Sequence, residues 1–200
     1  MRTPFTLLIT AAGEGSRFKD KGIMIPKPLI CVHGKTLIEH TIDSFNLKAG
    51  DLLLIASRNN HNLPNSLDAK LKRCLPEVEL QWLELMQLPQ GQLATAYESI
   101  QYLLRQSKFN QRLTQPLLIH NCDTGFCWQE DCLPITSFAS MPVFEAEGDH
   151  WSFGKPDPVR PNLAIEIAEK QRISQLASIG LYGFQSITYF RLKAQHHLNT

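Results

Sequence analysis

A strand-length apolar run, Phe5–Ile9, passes without a break into Thr10-Ala11-Ala12-Gly13-Glu14-Gly15-Ser16-Arg17-Phe18. This junction constrains the fold more than any other stretch. An apolar run of this length ending in a glycine loop predicts a buried strand. Glycine has no β-carbon, so the loop can bring backbone N–H groups close to whatever lies above the sheet. Arg17 adds a planar, permanently charged fork suited to phosphate oxygens. Lys27 adds a second cation, set between Pro26 and Pro28, whose rings restrict the backbone around it. The combination predicts a polyphosphate site. Two common phosphate motifs do not fit: a dinucleotide fingerprint wants a third glycine where Phe18 stands, and a Walker loop wants Gly-Lys-Ser/Thr.

The rest of the chain alternates. Ile30–Val32 predicts a short strand, with a turn at His33–Lys35, and Thr36 a cap for a helix through Phe45. Leu52–Ala56, Val78–Leu83 and Pro116–His120 predict strands, and 66–74 and Gln92–Arg105 predict helices. Alternation of this kind predicts an α/β sandwich with a largely parallel sheet. From Pro134 the texture changes to short strand-like pieces: Met141–Glu145, Trp151–Gly154, Leu163–Ala168 and Ile179–Phe184, with a closing helix over 187–198. The expected layout is one domain over 1–200, with a nucleotide-binding half at 1–130 and a smaller β-rich, acceptor-binding portion at 131–200.

Gly13-x-Gly15-Ser16-Arg17-Phe18 followed by Pro26-Lys27-Pro28-Leu29 resembles the signature of the sugar-phosphate nucleotidyltransferases. Within them it looks most like the branch found with capsule and surface-polysaccharide genes. The resemblance implies a three-layer α/β/α sandwich with a mostly parallel, mixed sheet of the Rossmann-like nucleotide-diphospho-sugar transferase kind. It implies transfer of a nucleoside monophosphate from a nucleoside triphosphate to a phosphorylated acceptor, a sugar-1-phosphate or a phosphocholine-like molecule, with release of pyrophosphate and use of Mg²⁺.

Site residues follow from the residues and the resemblance together. Arg17, Lys27 and Asp123 are the catalytic candidates, and Ala12, Gly13, Gly15 and Ser16 form the nucleotide-binding loop. Asp123 closes Leu117-Leu118-Ile119-His120-Asn121-Cys122-Asp123, and ligands of open α/β sheets bind beyond such strand ends. A carboxylate there suits Mg²⁺, although a loop or helix cap is the alternative. The resemblance makes Asp123 the metal ligand and places Asn121 in the same motif. It assigns Gly91 and Gln87 to the nucleobase, where a plain helix start is the alternative. It assigns Glu169 and Lys170 to the acceptor's hydroxyls and phosphate, where an exposed ion pair is the alternative. It also implies a second metal-binding aspartate beyond the Gly180-Leu181-Tyr182-Gly183-Phe184 region, yet residues 185–200 contain no Asp or Glu. A catalytically weak or inactive binder of nucleotide and sugar phosphate is therefore the alternative function. A glycosyltransferase of similar fold would want Asp-x-Asp, but Asn121 stands where the first Asp belongs.

Composition narrows the partners. A formal net charge of +1 argues against a general nucleic-acid binder, and no segment approaches the roughly 20 apolar residues of a membrane span. The odd set Cys31, Cys74, Cys122, Cys127 and Cys132 lacks zinc-finger spacing and predicts reduced, mostly buried thiols in a cytoplasmic protein. Trp151 and Phe153 read as core residues, and His40 and His120 as structural.

Overall fold

The computed structural model describes residues 2–87, 90–127 and 138–199. The strands of the first half are β1 (Thr6–Ala11), β2 (Cys31–Val32), β3 (Lys35–Thr36), β4 (Leu52–Arg58), β5 (Glu79–Leu85) and β6 (Leu117–Asn121). The later ones are β7 (Ala139–Ser140), β8 (Val143–Glu145), β9 (Ser152–Pro156), β10 (Ala164–Glu169), β11 (Leu176–Ser178) and β12 (Leu181–Phe184). The helices are α1 (Ser16–Lys19), α2 (Leu37–Asp43), α3 (Leu63–Cys74), α4 (Gly91–Leu104) and α5 (Ile187–Leu198).

The main sheet runs β5-β4-β1-β6-β12-β7. β1 pairs in parallel with both β4 and β6, and β4 with β5, while β12 is antiparallel to β6. Helices cover both faces, so the central strands are apolar at successive positions rather than at alternate ones. Leu7 and Ile9 pack with Ile38, Leu67 and Leu71 on one face, and Leu8 packs with Ala96, Ile100 and Phe190 on the other. This is the three-layer sandwich that the sequence predicts.

Local chemistry sets the helix starts. Thr36 and Glu39 form a reciprocal capping box at α2, which satisfies backbone donors at its start. Pro64 stands in the first turn of α3, so that helix begins at Leu63 rather than near Ser66. Of the remaining strands, β2 and β3 form a hairpin, and the others a four-stranded antiparallel sheet, β10-β9-β11-β8. The expected strand Ile179–Phe184 is shorter, Leu181–Phe184. Gly180 takes φ +81°, and there the chain leaves the small sheet after β11 and enters the main one as β12.

The cysteine expectation fails for most of the set. Cys31, Cys74 and Cys127 are exposed, and Cys122 is the buried one among the described residues. Cys31 sits in the β2–β3 hairpin outside the core, and Cys74 ends α3. Burial pushes the Cys122 thiol up to about 12. Cys132 and the boundary near residue 131 lie outside the described residues.

Candidate active site

From β1 the chain steps outward to β4 and β5, then returns to β6 on the other side of β1. The sheet's order therefore reverses between β1 and β6. A crevice at their carboxyl ends is where such sheets bind ligands. The glycine loop leaves the end of β1, and Asn121 and Asp123 leave the end of β6.

Gly15 takes φ +65° and turns the loop into α1. Its missing side chain matters, because a β-carbon there would stand 3.1 Å from the Cβ of Lys27. Lys27 opens a 3-10 turn, Lys27–Leu29, anchored by the buried Pro28. Its Nζ pairs with Asp123 Oδ2 at 2.5 Å, both side chains being partly exposed. Gly15, Lys27 and Asp123, far apart in sequence, thus meet at one point. Ser16 and Arg17 lie exposed on α1, and Arg17 has no ion-pair partner among the described residues. Ala12 is buried beneath the loop, and Gly13 is exposed, with open space where a β-carbon would stand.

On the other side, a relay ties helix to sheet. Gln92 Nε2 donates to Thr10 Oγ1 at 3.1 Å, and Thr10 Oγ1 donates to the His120 carbonyl at 3.1 Å. The relay fixes the start of α4 against β1 and β6. Gly91, its first residue, takes φ +82° and is exposed. Gln87 is exposed beyond the end of β5.

A cavity of about 440 Å³ opens beside Asn121 and Thr124, walled by Gln92, Phe144, Trp151 and Tyr182. Asn121 Oδ1 is buried in its wall with no hydrogen-bond partner among the described residues. Its neighbour Gly180 leaves the room, since a β-carbon on Gly180 would lie within 3 Å of the Asn121 side chain. The Phe144 and Trp151 rings stand 5.3 Å apart at 87°. Trp151 is therefore a cavity wall and not a core residue, whereas Phe153 is fully buried. An aromatic in a strand reads alike in either place, which is why sequence reasoning misplaced it.

Glu169 and Lys170 form an exposed ion pair at 3.1 Å, the alternative reading of that motif. Lys170 takes φ +54° and its N–H donates to the Trp151 carbonyl at 2.8 Å, so the exposed pair adjoins the cavity's aromatic wall without being part of its lining. His120 is buried, with both ring nitrogens 2.9 Å from carbonyl oxygens, those of Gly180 and Thr124. His40 lies against the Val32 carbonyl at 2.7 Å. Both are structural, as expected.

Sequence reasoning assigned no role to Thr10, Gln92, Thr124, the cavity walls Phe144 and Tyr182, or the ion pair of Arg58 with Glu14, 2.9 Å apart. Arg58 carried a signal, a single cation closing β4 just after Ser57 ends its apolar run.

Residues 7–131 match the MobA-like NTP transferase domain family. A comparison with curated proteins finds no match. Among solved structures, the nucleoside-diphosphate-sugar pyrophosphorylase from Vibrio cholerae RC9 is 27% identical with a TM-score of 0.83, over 97% of this chain and 79% of that one. A UDP-glucose pyrophosphorylase complexed with UDP-glucose is 16% identical with a TM-score of 0.66, over 96% and 88%. The inositol-1-phosphate CTP transferase from T. maritima is 15% identical with a TM-score of 0.70, over 96% and 74%. These last two show a shared fold. With its family matched over most of its length, the chain belongs to the MobA-like NTP transferases and is a nucleotidyltransferase.

Proposed function

We propose that the protein transfers a nucleoside monophosphate from a nucleoside triphosphate to a sugar-1-phosphate, with Mg²⁺ and release of pyrophosphate, to make a surface-polysaccharide precursor. The observation that carries this reading is the contact of Lys27 with Asp123 beside the Gly13–Gly15 loop. The acceptor phosphate would attack the α-phosphorus in line with the departing pyrophosphate. That reaction needs alignment and charge neutralisation more than a protein nucleophile. Ala12, Gly13, Gly15 and Ser16 would cradle the phosphates, and Arg17 would hold the triphosphate and leaving pyrophosphate. Phosphate oxygens would also give Lys27 a new partner and release the Asp123 carboxylate.

Among the described residues no cluster of three or more His, Cys, Asp or Glu side chains could hold a metal. The donors present suit Mg²⁺ in its phosphate-dependent mode, with Asp123 as the protein carboxylate and Asn121 beside it. When bound, Mg²⁺ supplies neutralisation of phosphate charge. Gly91 and Gln87 would contact the base, and Glu169 and Lys170 the acceptor.

The cavity favours a sugar. The orphan Asn121 Oδ1 wants a donor such as a hydroxyl, and flat aromatic walls suit a ring face. The perpendicular Phe144 and Trp151 rings favour a second reading, phosphocholine, because such walls attract quaternary ammonium. A panel of nucleoside triphosphates assayed against sugar-1-phosphates and phosphocholine, read by pyrophosphate release, tests both. Release with a sugar-1-phosphate supports the first reading, and release with phosphocholine alone the second. No release with any pair leaves a binding protein of this fold.

A further inference from the structure

We propose that Glu14 and Arg58 form a base-reading pair that sets which nucleotide this site accepts. The inference rests on the nucleotidyltransferase reading and deepens it.

Strand register carries the argument. In the main sheet Ala11 pairs with Ser57, and Arg58 pairs with Leu85. Arg58 therefore ends the strand lying between two others. On one side β1 leads into Ala12, Gly13 and Glu14, and on the other β5 leads toward Gln87. The segment beyond β5 is tied to this place as well, since Asn59 Nδ2 donates to Met86 Sδ at 3.3 Å.

Two ion pairs flank the glycine loop, on opposite sides of β1. Lys27 with Asp123 stands on the β6 side, next to the cavity that would take the acceptor. Arg58 with Glu14 stands on the β4 side. A nucleotide whose reacting phosphate lies at the first pair has its nucleoside end at the second. The Arg58 side chain is one quarter exposed and that of Glu14 more than half, so both can turn toward a ligand.

Their chemistry suits a base edge better than a phosphate. A carboxylate repels phosphate, and Glu14 sits within the loop itself. Base edges carry donors and acceptors side by side. Arg donates in a fixed bidentate fork, and Glu accepts from amino groups. Glu14 and Arg58 offer both functions from one place. In the absence of nucleotide they satisfy each other.

The test measures binding of ATP, GTP, CTP, UTP and dTTP to the full chain by calorimetry, with Mg²⁺, for the parent, Glu14→Gln, Arg58→Lys and Arg58→Gln. Glu14 is in an exposed loop, so Glu14→Gln leaves no core defect. Arg58→Lys keeps the charge and loses the fork. The pair, if it reads the base, gives a parent that prefers one nucleotide. All three variants then shrink or redirect that preference on the order of tenfold or more. Arg58→Lys that behaves as the parent would overturn the inference. So would a uniform loss across all five nucleotides, which marks a phosphate or purely structural role, or a parent without preference. A parent that binds none of the five contradicts the nucleotidyltransferase reading itself, and this inference falls with it.

Discussion

Gly15 and Lys27 are in contact through an absence: the place where residue 15 would carry a β-carbon lies 3.1 Å from the Cβ of Lys27. The glycine loop and the Pro-Lys-Pro segment are therefore one built unit. Gly15→Ala should cost about 1–2 kcal/mol of stability, because a side chain is strained at φ +65°. It should lower turnover far more, since displacing Lys27 spoils alignment at the phosphates. Gly13→Ala, with open space at its β-carbon, should match the parent's stability. Urea denaturation and steady-state kinetics on both variants check the contrast. Equal effects on stability would break the link between the loop and Lys27.

Arg17→Ala should leave the fold intact and reduce turnover on the order of 10²–10³-fold, the usual cost of losing a charge contact made in the transition state. Arg17 is exposed and has no ion-pair partner among the described residues, so its removal opens no cavity. The measurement is kcat/KM with the parent's best substrates, beside a thermal melt. Unchanged kcat/KM removes Arg17 from the site.

The sheet was readable in advance because its strands are apolar at successive positions and its glycine loop is distinctive. The resemblance named Lys27 and Asp123, yet nothing in local sequence says that they touch in the crevice beyond the carboxyl ends of β1 and β6. Partner choice over such separations is settled by strand order, which periodicity does not encode. For the same reason Arg58 went unread: a cation after a strand means little until Glu14 stands beside it. Trp151 was misplaced because burial in a core and exposure in a cavity wall make the same demand for an aromatic ring. The cysteines misled because small apolar residues also occur at helix ends and in surface hairpins, as Cys74 and Cys31 do.

Asp123→Asn should weaken Mg²⁺-dependent nucleotide binding while keeping the side chain's shape. The amide loses the charge that attracts the cation and the partner that holds Lys27. Calorimetry of nucleotide binding with and without Mg²⁺ reads this directly. The parent should show a metal effect that the variant largely lacks. The same metal effect in both would make Asp123 a structural partner of Lys27 only.

Stability should fall with acid in a defined window. Burial pushes the imidazoles of His61 and His120 below their ordinary value of 6.5. As pH drops, the unfolded chain takes up those protons first. The stability present above about pH 6.5 is lost progressively toward the lower folded-state values. Urea midpoints at about pH 7.5 and about pH 5.5 should show the drop, and His61→Gln should reduce it. A variant with the parent's full pH dependence would exclude His61 as a source.

The most direct test of the central claim follows the α-phosphate. The preferred nucleoside triphosphate, labelled at the α-phosphorus, is incubated with Mg²⁺, protein and the accepted sugar-1-phosphate. The account predicts that label appears in a sugar-linked nucleoside diphosphate, with one pyrophosphate released for each product formed. Label left in free nucleoside di- or monophosphate, with no sugar-linked product, would contradict it.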